Sequence, residues 1–140
     1  MNRDEAGQTL VALALLLPLV LLPVVAYAIQ ATLLASRASL LQAAAARAAE
    51  DASQAVDIGA LRSRGVLQLD ASEASRIART SLAAEDAAAE LDGVAVGPVS
   101  VTVIAHDRVP LEFGGILRAG SVTLTSVATA RLTAGYRGPG

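Results

Sequence analysis

From Leu10 to Ile29 the chain reads LVALALLLPLVLLPVVAYAI, twenty positions with no charge and nothing more polar than Tyr27. A helix of that length rises about 30 Å, the hydrocarbon thickness of a bilayer. The charge-free run extends from Ala6 to Ser36, so a tilted or shifted span also avoids burying a charge. The pattern predicts a transmembrane helix over 10–29, preceded by a polar head over 1–9. Two other readings compete with it. Ala26-Tyr27-Ala28 has the small-x-small form of a signal peptidase site, which would make residues 1–28 a cleaved secretory signal. Against that stand the single base Arg3 beside Asp4 and Glu5, the length of the apolar run, and the apolar Ile29, Leu33 and Leu34 beyond the cut. A buried helix of a soluble domain would need more surrounding protein than 140 residues supply.

Beyond the span, AIQATLLASRASLLQAAAARAAEDASQAV has no Gly or Pro and is rich in the strongest helix former, which predicts a helical stalk over 30–56 continuous with the span. Ala44, Ala48 and Ala52 recur every four residues, as do Ala45 and Ala49, giving a nearly bare face that another helix can approach closely. The plainer account of the same alanines is helix propensity alone. Arg47, Glu50, Asp51 and Gln54 read as a solvated face. Within the span, Pro18 and Pro23 each remove a backbone donor, so a kink is expected around Leu17 to Pro23.

DIGALRSRGVLQLD breaks the helical pattern at Gly59 and Gly65 and reads as a hinge or loop. Asp70 with Glu73 three residues on resembles a capping box and opens a second, amphipathic helix running to about Leu91. Its predicted inner face is Ile77, Ser81, Ala84, Ala88 and Leu91, opposite Arg79, Asp86 and Glu90, with Asp92-Gly93 as the stop. The period then changes to two. Val99, Val101 and Val103 alternate with Ser100 and Thr102; Val122, Leu124, Ser126, Ala128, Ala130 and Leu132 alternate with Thr123, Thr125, Thr129 and Arg131. Two strands therefore frame the connection HDRVPLEFGGILRAG, in which Val109 to Phe113 reads as a short edge strand because of Pro110. Gly114-Gly115 and Gly120 read as turns, and the tail AGYRGPG as frayed. The expected fold class is α+β: a long membrane helix continuing into an extended helix, a second helix, then a small antiparallel sheet, with residues 57–140 forming a small domain.

Composition narrows the function. Hydrophobic residues make up 54% of the chain, yet it has one Phe, two Tyr and no Trp, so a large aromatic core is excluded. A net charge of −2 with scattered arginines and no Lys gives no basic patch for nucleic acid or an anionic membrane surface. Without Cys there is no disulfide and no thiolate metal site. His106 is the only histidine, followed by Asp107, and reads as a solvated residue at a strand end. Asp86 and Glu90, on one face of an exposed helix, read as solvated carboxylates. No serine has a histidine at motif spacing. No enzymatic activity, cofactor, metal or small-molecule substrate is expected.

The string RDEAGQTLVALALLLP resembles the N-terminus of TadE/TadG-like proteins, pilin-like subunits of the tight-adherence (Flp-type) pilus assembly system. In these an Arg-containing leader ends in Gly, and an apolar helix follows with Pro about eleven residues on; Gly7 and Pro18 have that spacing. The valine-rich strand, the Pro-containing connection and the closing Ser/Thr/Ala-rich strand are similar to the C-terminal part of TadE-like proteins. The resemblance implies a cytoplasmic head, an exported C-terminal part, prepilin-type processing between Gly7 and Gln8, and partners among the membrane and other pilin-like or secretion-assembly subunits. The chain departs from the pattern at Ala12, where many relatives carry Glu five residues after the glycine. That departure leans toward TadG-like relatives. A secreted or membrane-anchored binding module unrelated to pili is the alternative.

Overall fold

The computed structural model describes residues 3–111 and 120–133, with side chains from Gly7 onward. One helix, α1 (Arg3–Ala52), runs for 50 residues through the apolar stretch and both prolines. Its two halves have opposite surroundings. Leu10, Leu13, Leu15, Leu19 and Leu22 are exposed, whereas Leu41, Ala44, Ala45, Ala48, Ala49 and Ala52 are buried. The buried set recurs at three- and four-residue spacing, so one face of the second half is the centre of the core.

After Ala52 the chain makes an excursion closed by an antiparallel bridge between Val56 and Leu69. The expected loop holds a short helix, α2 (Ile58–Arg64). Asp57 caps it, accepting from the Ala60 amide at 2.8 Å, and Gly65 ends it in the left-handed region at φ 67°. The two residues read as breakers thus include a helix stop, which is the same chemistry at shorter range.

Helix α3 (Ala71–Glu85) begins as expected, with Asp70 accepting from the amides of Ser72 and Glu73. It ends six residues earlier than expected. Asp86 takes extended φ and ψ and its carboxylate accepts from the Ala88 amide, closing a turn. The buried positions are Ala74, Ala78 and Leu82; Ile77 and Ser81 flank this stripe, Ala84 is exposed, and Ala88 and Leu91 lie outside the helix. The turn closed on Asp86 takes Ala87–Ala89, and strand pairing takes Leu91, against their helix propensity.

Among the described residues the sheet has three antiparallel strands in the order β1-β2-β3: β1 (Glu90–Val96), β2 (Ser100–Pro110) and β3 (Ser121–Arg131). Strand β1 was not expected; Gly93, read as a helix stop, sits beside a bulge between Leu91 and Gly93. Val109 and Pro110 close the central strand and do not form an edge strand of their own. Proline is accommodated because pairing with β1 ends at Glu90↔His106, leaving β1 nothing to offer Pro110. Residues 112–119, including Phe113 and Gly114-Gly115, and the tail 134–140 lie outside the described residues. In β2, Val101, Val103, Ala105, Asp107 and Val109 face inward. In β3 the inward set is Val122, Leu124, Ser126, Ala128 and Ala130, as the alternation predicted.

Two layers result, with α1 and α3 against the inner face of the sheet. Direction follows from contacts at the two ends. Arg37 meets Asp107 at 2.7 Å, while Asp70 N–H bonds Ala55 O and Leu69 N–H bonds Pro98 O. Strand β2 therefore runs antiparallel to α1. Helical rise from Arg37 to Ala52, about 22 Å, matches strand rise from Asp107 to Ser100, about 23 Å.

Candidate functional site

Helix α1 links the surfaces of the described residues. Its first half has a stretch of mean hydropathy 2.7 with no residue buried against the rest of the protein. It is the one helix among the described residues long and apolar enough to cross a membrane, and its place near the N-terminus is consistent with membrane anchoring or a signal anchor. Gly7 and Gln8 lie within this helix and are exposed. Pro18 and Pro23 lie inside it as well, and α1 continues through both.

The alanine face is occupied from within the chain. Ala44, Ala48 and Ala52 are at most 3% exposed and belong to the core formed with Ala74, Ala78 and Leu82 of α3 and Val101 and Val103 of β2. Small side chains let α1 come close to both neighbours at once. Leu41 and Leu82 supply the largest buried side chains beside Val101 and Val103.

Polar ties border this seam. Arg37 Nη2 donates to Oδ2 of Asp107, whose side chain is 3% exposed. Arg47 Nη1 donates to Glu85 at 3.1 Å, and Ser81 donates to Asp51. The residues expected to be a solvated face, Arg47, Glu50, Asp51 and Gln54, are exposed, and two of them hold α3. Between these ties Asp51, Gln54, Arg76, Ile77, Thr80 and Ser81 line an open groove.

His106 is not the solvated strand-end residue expected. It sits within β2 on the outer face, its side chain 16% exposed, with Asp92 on Nδ1 at 2.7 Å and Glu90 on Nε2 at 3.4 Å. The carboxylates take opposite ring nitrogens, so the three groups do not converge on a point where an ion could sit. The pairing of β1 with β2, which sets Glu90 opposite His106, creates this cluster, and the helical pattern that puts Glu90 on a face with Asp86 hides it. Elsewhere, hydrogen bonds hold three acids below their ordinary pKa: Asp57 by the Ala60 amide, Asp70 by the Glu73 amide, and Glu73 by Arg76. Arg76 is raised in return by Glu73.

At the end of the head remote from the span, the α2 excursion exposes Ile58, Leu61, Val66 and Leu67, with Val99 also exposed. Arg62 and Arg64 occupy the last turn of α2. This is an apolar tip with a basic edge. Comparison with protein-family models, curated proteins and solved structures finds no match for this chain.

Proposed function

We propose that this protein is a non-enzymatic, membrane-anchored component of a tight-adherence pilus or related secretion assembly, similar to TadE/TadG-like proteins. It is anchored in the cell membrane by residues 10–29, with the N-terminus cytoplasmic and the α+β head outside. It acts by lateral packing of its span and by contacts of its head with other assembly subunits. The observation that carries this reading is the division of α1: one unbroken helix whose exposed apolar half suits lipid and whose alanine-faced half is the core of the head.

Ala12 refines the proposal. In the pilin-like families this chain resembles, an acid at that position pairs with the N-terminal amine of a neighbour. That pairing offsets the cost of an unpaired charge among apolar helices. If processing removes residues 1–7, the amine of Gln8 meets no acid from a second copy's span, since Leu10–Ile29 is uncharged. The protein is then a minor, terminal or membrane-resident component, not the repeating subunit.

Mass spectrometry of the mature chain from native membranes tests both points. Loss of residues 1–7 supports pilin-like processing, and an intact chain supports a resident anchor. Loss of residues 1–28 refutes the anchor and makes the head a secreted binding module; the buried core begins at Leu41 and would survive that cut. Finding this chain as the dominant subunit of sheared filaments would refute the minor role.

A further inference from the structure

We propose that the β2–β3 end of the sheet rests in the lipid headgroup layer beside the outer end of the span, so that the head lies against the bilayer and does not stand off on a stalk. This rests on the anchor reading of α1. The direction of the strands carries it. Since β2 runs antiparallel to α1 and Asp107 is level with Arg37, the residues after Asp107 continue toward the membrane. Asp107 to Leu111 adds about 13 Å of extended chain, which on α1 is the rise from Arg37 back to Ile29, about 12 Å. The β2–β3 end thus reaches the level where the twenty-residue apolar span stops. Headgroups add about 5–7 Å beyond the hydrocarbon on each side, so this level lies within or at the edge of that layer.

The exposure of α1 gives a second, independent sign. Ala26, Gln30, Leu34 and Arg37 are half-buried while Val25, Tyr27, Ile29, Leu33 and Ser36 are exposed. At three- and four-residue spacing these four continue the stripe of Leu41, Ala44 and Ala48. One face of α1 is therefore covered well inside its charge-free run, ahead of the first charge at Arg37. A bilayer that accepts the exposed faces of residues 26–36 also meets what covers them.

The chemistry at this end suits a zwitterionic lipid surface. Arg108 and Pro110 are exposed on the last turns of β2, and Gly120 and Ser121 are exposed where β3 begins. The Arg108 guanidinium can bind lipid phosphate through two parallel donors, whereas the nearby Glu90 and Asp92 are engaged with His106.

Because the natural chain has no Cys, single cysteines carry a nitroxide label at one defined place. The full-length chain in phosphatidylcholine nanodiscs is labelled in four variants: Leu16→Cys in the span, Ser121→Cys and Gly120→Cys at the membrane-side end, and Val99→Cys at the remote end. A Cβ at Gly120 meets nothing within 4 Å, so this position serves if Ser121→Cys folds poorly. The expected result is a lipid-buried label at 16, a water-exposed label at 99, and labels at 120 and 121 several-fold less accessible to an aqueous relaxation agent than the label at 99. Equal aqueous access at 121, 120 and 99 with a lipid-buried label at 16 overturns the proposal and spares the anchor. A water-exposed label at 16 overturns both.

Discussion

Cutting the chain between Val56 and Asp57 should unfold the head, whereas cutting between Ser36 and Arg37 should not. The first cut removes Leu41, Ala44, Ala45, Ala48, Ala49 and Ala52 from the core. Leu41 is worth about 2 kcal/mol of burial and each alanine methyl about 0.8, so α1 alone contributes about 6 kcal/mol. The inner faces of α3 and the sheet lose their cover at the same time, including Ala74, Ala78, Leu82, Val101 and Val103, so the total loss is about twice that. A typical domain is stable by only about 5–15 kcal/mol. The fragment 57–140 should therefore show poor amide dispersion and no cooperative melt, while 37–140, which keeps Arg37 and the whole alanine face, should show both. A cooperative melt for monomeric 57–140 would refute this account of where the core lies. Tyrosine and tryptophan fluorescence is a poor probe, because the chain has two Tyr and no Trp; hydrogen exchange at Val101 and Val103 reads the core directly.

Three further outcomes follow from named contacts. Ala48→Leu, which keeps helix propensity but overfills a site with 0% exposure, should cost about 1–3 kcal/mol by hydrogen exchange, while Ala46→Leu on the exposed face should cost almost nothing. Arg37→Ala leaves the carboxylate of Asp107 buried and unpaired and should cost about 2 kcal/mol. That is less than a fully buried pair because Arg37 is 34% exposed; the double variant with Leu at both positions should recover most of it. Asp57, Asp70 and Glu73 have folded pKa values below their unfolded ones, so the stability they give is present above the unfolded values and is lost as pH falls below about 4. Lower protection factors at the start of α3 on acidification, after correction for the intrinsic exchange rate and absent in Asp70→Asn, check that sign.

Period was the readable part of this fold. The apolar run, the capping Asp70 and the alternation of β3 are each local, and each appears where the sequence placed it. What the sequence hid depends on contacts between distant segments. The alanines at 44, 48 and 52 look identical whether they await a second protein or their own domain, and only the folding back of α3, β2 and β3 onto α1 covers them. Alanine favours helix in isolation, which carries the sequence pattern of α3 on through Ala87–Ala89, while the pairing that makes Glu90–Val96 a strand is with residues five to sixteen positions on. His106 was misplaced for the same reason, since its two carboxylates arrive on β1. Of the candidate site, the long apolar helix was legible; the Arg37–Asp107 tie, seventy residues apart in sequence, was not.

The undivided α1 makes a last prediction. No Gly, Pro or loop separates the exposed apolar half from the buried half between Pro23 and Ala52, so the head has a fixed rotation about the span. If the proposed assembly uses lateral packing of the span together with head contacts, the two sets of contacts must share one phase along the helix. Inserting one Ala after Val20, a position exposed on all sides, rotates the span's first half by about 100° relative to the head and lengthens the helix by about 1.5 Å. Inserting seven residues there restores the phase to within about 20° but lengthens the helix by about 10 Å. Neither insertion touches the core, which begins at Leu41, so head stability read by exchange at Val101 should not change. Cross-linked complexes in native membranes should be lost on the single insertion and largely regained when an insertion of seven is paired with deletion of seven residues near Leu10. Retention of the same complexes by the single insertion would mean that span and head bind independently, and that the continuity of α1 serves only to hold the head to the membrane.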